Sequence, residues 1–168
     1  MIGSVAGMRL VKFAFAMGLA LTLAACASDK ATDASALGAG FGAGGSAAPG
    51  TAQDFVVNVG DRVFFESDST DLTSTSTATI DKQAQWLNQY PTYSIVIEGH
   101  ADERGTREYN FALGSRRAQV TRDYLVGKGI AASRLKTVSY GKERPVAVCD
   151  DISCWSQNRR AVTTLAGK

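Results

Sequence analysis

Arg117 sits in the apolar stripe of a helical segment, and a guanidinium in such a place needs acceptors. Over residues 110–128, a wheel of about 100° per residue puts Leu113, Val120 and Tyr124 within ~40° of one another. Arg117 falls inside that stripe, whereas Arg116 and Arg122 point away. Burying this charge without a partner would be very costly. The polar loop just ahead, His100 to Tyr109, offers Asp102, Glu103 and Arg104. Two chemistries fit. Asp102 and Arg117 can form an internal salt bridge that fixes the loop. Alternatively, they are two halves of a zwitterion receptor, in which Arg takes a carboxylate through forked hydrogen bonds and Asp takes an ammonium. Arg117 lies early in the helix, so its head can reach the rim of the sheet.

Other reactive side chains are less well placed. Ser139-Tyr140-Gly141-Lys142 matches S-x-x-K and Ser156-Gln157-Asn158 matches S-x-N, as in penicillin-recognising peptidases. Ser139 falls at a strand end rather than a helix start, and no later Lys-Thr-Gly follows it. His100 has no apparent nucleophile or orienting acid beside it and is expected to hydrogen-bond within its loop. A muramidase would need two facing carboxylates in a cleft, a pairing that spacing alone does not place. The sequence therefore points to binding rather than catalysis, with no cofactor and no metal. Gly40 to Gly45 formally matches G-x-G-x-x-G, but no strand precedes it and no helical pattern follows.

The amino terminus sets the compartment. Arg9 and Lys12 lead into the apolar run Phe13 to Leu23, and Leu23-Ala24-Ala25-Cys26 closes it. This is a signal segment ending in small residues, too short for a permanent span. A cysteine directly after the small residues makes it a lipobox. Cleavage before Cys26 is expected, with acyl chains on Cys26. Each buried CH₂ contributes about 0.8 kcal/mol, so several chains anchor firmly where one would not. Ala27, rather than Asp, follows the cysteine, which favours sorting to the outer membrane. Cys149 and Cys154 remain, and an oxidising compartment suits a disulfide between them. A metal site is the alternative, but two cysteines and one distant histidine make a poor ligand set. Removing residues 1–25 takes Arg9 and Lys12 away, leaving 18 − 2 = 16 basic residues against 16 acidic ones. A chain near neutrality argues against nucleic acid as its main partner.

The elements that must position these residues follow from patterning. Residues 1–25 read as the signal segment. Residues 26–53, rich in Ala, Gly, Ser and Thr, read as a flexible tether. Residues 54–168 read as one domain. Within it Phe55 to Phe65 reads as a strand, and Ile80, Ala84 and Leu87 mark a helix that Pro91 stops. Ser94 to Glu98 reads as a short buried strand, and Asn110 to Lys128 as a second helix. Leu135 to Tyr140 is a third strand, followed by a cysteine loop and a fourth strand, Ala161 to Leu165. The order β-α-β-α-β-β predicts an α+β sandwich with two main helices on one face of a small mixed sheet.

Longer motifs add a resemblance. Gly99-His100-Ala101-Asp102-Glu103-Arg104-Gly105-Thr106, then Asn110, Leu113 and Arg116-Arg117-Ala118, resemble the OmpA-like peptidoglycan-binding domain family. So do Ser139-Tyr140-Gly141 and Asn158-Arg159-Arg160. The stretch from Cys149 to Val162 is similar to the alphaproteobacterial branch, and the lipobox fits its lipid-anchored members. The resemblance covers the whole domain. It implies that Asp102 and Arg117 hold the meso-diaminopimelate of a peptidoglycan stem peptide. It also implies that Asp68, Arg104 and Leu113 line the groove and that Asn110 braces its loop. A further implied partner is the periplasmic β-propeller protein of the Tol system, which competes with the cell wall. Phe65-Glu66-Ser67-Asp68 departs at Glu66 from the pattern Phe-Gly-x-Asp or Phe-Asp.

Overall fold

The computed structural model describes residues 47–167. The signal segment, Cys26, the tether up to residue 46 and the Gly40 to Gly45 run lie outside the described residues. In chain order the elements are a short helix α1 (Ala52–Asp54) running into a π-helical turn (Phe55–Val59), strand β1 (Arg62–Phe64), helix α2 (Ser74–Gln89) and strand β2 (Ser94–His100). Helix α3 (Arg107–Gly127), a 3-10 turn (Ala132–Arg134), strand β3 (Leu135–Gly141), helix α4 (Ile152–Asn158) and strand β4 (Arg160–Ala166) follow. The sheet order is β1-β4-β2-β3. β2 and β3 are parallel, joined by the α3 crossover, and β4 is antiparallel to both β1 and β2.

The mixed sheet and its helical layer are those expected. Ile95 and Ile97 of β2 point into a core with Val63, Ala161, the α2 residues Ile80, Ala84 and Leu87, and the α3 residues Ala118 and Leu125. α3 lies directly on the sheet because two glycines meet there. A Cβ on Gly99 would sit 1.8 Å from the Gly114 carbonyl oxygen, and one on Gly114 would sit 2.6 Å from Ser139 Oγ. No side chain fits between helix and strands at that level.

This contact rotates the helix. Its buried residues are Asn110, Leu113, Gly114, Arg117, Ala118, Thr121 and Leu125. Their centre lies about 70° from the stripe of Leu113, Val120 and Tyr124. Val120 and Tyr124 are only partly buried and flank the core. Small residues, which carry little hydrophobic signal, define the true contact face. Arg117 lies within it on either reckoning.

The strand expected over Phe55 to Phe65 is a correction. Only Arg62–Phe64 is strand, and the valine-rich start is helical. Thr51 caps this turn by accepting from Asp54 N. The Asp54 carboxylate accepts from Trp86 Nε1 at 2.7 Å, Asn58 Nδ2 at 2.8 Å and Gly50 N at 2.9 Å. Those bonds outweigh the strand preference of Val56, Val57 and Val59. Packing thus begins before residue 54: Tyr93 donates its hydroxyl hydrogen to Gly50 O at 2.8 Å. The cysteine loop is a second correction. It holds α4, whose N-cap Asp151 accepts from Ser153 N.

Candidate functional site

β2 ends at His100, where its register against β3 shifts between Gly99 and His100. Such an irregularity re-aims the chain and releases it into a loop. Ala101 N donates to Gly141 O at 2.8 Å. Asp102 turns the loop, accepting from Arg104 N at 3.2 Å. Asn110 Nδ2 donates to Arg104 O at 2.7 Å, and Lys142 Nζ donates to Glu103 O and Gly105 O at 3.1 and 2.7 Å. Gly105 has φ of 85°, a conformation that favours glycine, and Thr106 then caps α3. The loop is held from its own helix and from the strand beside it.

The two leading residues do not pair with each other. Asp102 forms a fork with Arg104, whose Nε and Nη2 donate at 3.1 and 2.7 Å. Arg159 Nη1 adds a fourth donor at 3.4 Å. Burial opposes ionisation of Asp102, but the side-chain and backbone hydrogen bonds of Arg104 outweigh it, so the carboxyl titrates below its usual range. A glycosidase acid needs the opposite shift. Arg117 is fully buried and bonds three carbonyls: Nε to Ser69 O at 3.0 Å, Nη1 to His100 O at 2.9 Å and Nη2 to Glu66 O at 3.1 Å. The internal Asp102–Arg117 salt bridge is therefore not formed. A guanidinium has five N–H donors. Three are used, so two have no protein partner among the described residues. Burial and the nearby Arg159 lower the Arg117 pKa to about 10, which leaves it charged at neutral pH.

Asp68, Asp102, Arg104, Asn110, Leu113 and Arg117 line one cavity of about 250 Å³, with Ser67, Gly105 and Tyr109. Residues distant in sequence are thus gathered at the end of the sheet. Asp68 adopts φ of 55°, unusual for a residue with a Cβ, and its carboxylate accepts from the Tyr109 hydroxyl. Glu66 contributes its backbone carbonyl to Arg117, while its side chain borders a neighbouring cavity with Phe64 and Ile152.

One expectation about a reactive group is overturned. His100 does not hydrogen-bond within its loop. Its ring is 2% exposed, and neither ring nitrogen has a hydrogen-bond partner among the described residues. Its ring centroid lies 5.5 Å from that of Tyr140. Burial, with Arg160 and Arg144 nearby, lowers its pKa to about 4. Its carbonyl, rather than its ring, serves the site. Ser139 Oγ donates to Phe111 O at 2.7 Å while Lys142 bonds the loop, so both are structural struts. Cys149 and Cys154 form a disulfide, which rules in the pairing over the metal alternative.

Sequence spacing missed Arg159 and Trp155. Arg159 is 4% exposed and also donates from Nε to Phe65 O at 3.1 Å, tying the residue after β1 to Asp102. Two adjacent arginines ahead of an apolar strand were the signal available. Trp155 lies under Arg104, with the guanidinium carbon 4.3 Å from a ring centroid, and donates Nε1–H to the Glu103 carboxylate.

Fold and cavity define a small α+β domain with a cavity lined by charged side chains at one end of its sheet. The OmpA family model matches residues 64–159. A peptidoglycan-associated lipoprotein of Agrobacterium fabrum is 64% identical over 152 residues, covering 90% of this chain and 86% of that protein. One from Mesorhizobium japonicum is 66% identical over 147 residues, covering 88% and 87%. The crystal structure of the peptidoglycan-associated lipoprotein from Burkholderia pseudomallei superposes with a TM-score of 0.61 at 40% identity, covering 63% of this chain and 90% of that one. The C-terminal domain of Helicobacter pylori MotB shares the fold, with a TM-score of 0.60 at 22% identity over 64% of this chain and 85% of that one. The chain belongs to the OmpA family and, within it, to the peptidoglycan-associated lipoproteins.

Proposed function

We propose that this protein is an outer-membrane lipoprotein that binds peptidoglycan non-covalently and so tethers the membrane to the cell wall. Residues 1–25 direct export, Cys26 carries the acyl chains, the stretch after it up to about residue 49 forms the tether, and the domain that begins with the packed Gly50 faces the periplasm. The ligand is the meso-diaminopimelate of a stem peptide, whose free end carries an amine and a carboxylate on one carbon. Arg117, with Arg104 beside it, receives the carboxylate; Asp102 and Asp68 receive the ammonium. Leu113 supplies an apolar wall and Asn110 braces the loop. The observation that carries this reading is the convergence of these six residues on one cavity whose base holds a buried guanidinium with two unused donors. No covalent bond forms, so the tether can release and rebind.

The same reading places the protein in the Tol-Pal system, with the periplasmic β-propeller protein and other Tol components as partners and envelope integrity during cell division as the outcome. The 59–66% identity to relatives named as peptidoglycan-associated lipoproteins supports it. A pull-down with purified murein tests the binding. The protein should be retained by diaminopimelate-containing murein and not by murein lacking that residue. Equal retention on both would leave a protein-interaction lipoprotein as the better reading.

A further inference from the structure

α4 carries one half of the disulfide and, through Trp155, contacts the ligand loop. The Cys149–Cys154 bridge, with Cα atoms 5.6 Å apart, ties the segment before α4 to its first turn. The next residue, Trp155, carries the Arg104 guanidinium on its ring and bonds Glu103. A seven-residue helix is too short to persist on its own. Its C-terminal half is held independently: Asn158 Oδ1 accepts from Val146 N at 2.8 Å and Ala147 N at 3.2 Å, and its Nδ2 donates to Ala147 O at 2.7 Å. Its N-terminal half has the Asp151 cap and the disulfide. Trp155 follows the bridged Cys154 directly, and its own N–H donates to Asp151 O at 3.1 Å, so the bridge and the cap together hold the turn that carries its ring.

We propose that Trp155, fixed by the Cys149–Cys154 disulfide, is a positioning residue for the ligand cavity. It sets the place of Arg104 and Glu103, and through the Arg104–Asp102 fork it sets Asp102. Arg104 is 43% exposed in its side chain, so a flat aromatic platform matters more to its placement than burial does. The Arg104 side chain is otherwise steered by Asp102 and by Ser67 Oγ at 2.8 Å. Without the platform Arg104 samples several rotamers, and the carboxylate-binding pair of Arg104 and Arg117 loses its shared frame.

This inference rests on the diaminopimelate reading for its ligand arm, so the experiment has a second arm that needs no ligand. In the full chain purified in detergent micelles, the Arg104 Nε–H and Trp155 indole resonances are followed by NMR. Reduction with a trialkylphosphine, or the Cys149→Ser, Cys154→Ser double substitution, should shift or broaden both. In calorimetric titration with a diaminopimelate stem peptide, Trp155→Ala should weaken binding by about tenfold, because only part of the lost cation–π and hydrogen-bond energy reaches the ligand through the placement of Arg104. Trp155→Phe keeps a ring but loses the Glu103 bond, and should recover about half of that loss on a logarithmic scale. Resonances that ignore reduction would overturn the proposal whether or not the ligand assignment holds. So would a Trp155→Phe protein that binds as poorly as Trp155→Ala while melting at the wild-type temperature. If the wild type does not bind the peptide but the resonances respond, the ligand reading fails and the positioning role stands.

Discussion

Replacing Arg117 tests the site at its base. The three carbonyls it serves differ in their access to water. The bond to His100 O is buried, while those to Ser69 O and Glu66 O are partly buried at the cavity wall. Arg117→Ala leaves the first carbonyl dry and unpaired, which costs about 1–3 kcal/mol. The other two can recruit water and cost less, about 1 kcal/mol each. Loss of the repulsion between Arg117 and Arg159 offsets part of this. The net expectation is about 2–4 kcal/mol of stability, or roughly 10–15 °C in melting temperature for a domain of this size. Arg117→Lys retains the charge and can reach one or two of the carbonyls, so about half that loss is expected. Both variants lose the fork, and below their melting points both should bind stem peptide at least tenfold more weakly. Scanning calorimetry and isothermal titration on each variant check this. An Arg117→Ala protein with wild-type melting temperature would refute the carbonyl argument, and one with wild-type affinity would refute the receptor argument.

Four other outcomes are expected. His100 resists protonation in the folded chain down to about pH 4, whereas an unfolded histidine takes a proton near 6.5. Unfolding therefore takes up a proton between those values, and stability should fall as pH drops through that window, the more weakly because the Glu98 carboxylate lies 3.6 Å from Nε2. His100→Phe should flatten that slope of melting temperature against pH, and an unchanged slope would exclude His100 as its source. The Cys149→Ser, Cys154→Ser protein should still fold, losing about 2 kcal/mol for a six-residue loop; mass spectrometry that finds both thiols free in periplasmic protein would remove the premise. Gly99→Ala should abolish soluble folded protein because its Cβ meets helix backbone at 1.8 Å, and Gly114→Ala, which meets the Ser139 hydroxyl at 2.6 Å and the Gly99 carbonyl oxygen at 2.8 Å, should also be strongly destabilising. Cys26→Ser should release a folded domain into the periplasm and eliminate palmitate labelling, and a wild type that takes up no label would contradict the lipobox.

Regular elements were legible in the sequence wherever periodicity was carried by large apolar side chains. Ile95 and Ile97, and Ile80 and Leu87, marked their elements correctly. Errors arose where a few polar bonds overrode propensity. Val56 and Val57 are exposed on a helical turn because Asp54 is pinned by Trp86, Asn58 and Gly50. The face of α3 was misjudged because Gly114 and Ala118, with no bulk to announce themselves, make the closest approach. At the site, residue types in the loop and helix pointed to the same cavity that the fold assembles. Pairing was not legible: whether Asp102 meets Arg117, Arg104 or Arg159 depends on β4 crossing to the centre of the sheet, a long-range event that no local spacing encodes.

The central claim is that the cavity recognises both charges on one carbon. Calorimetric titration of the full chain with two stem peptides tests it most directly, one carrying meso-diaminopimelate and one carrying lysine at the same position. Lysine keeps the side-chain ammonium and lacks the carboxylate. Arg117 would then face a ligand with nothing for its two unused donors. The account predicts binding of the diaminopimelate peptide and at least a tenfold loss with lysine, since a forked charge-assisted pair disappears. Equal affinity for the two peptides would contradict it.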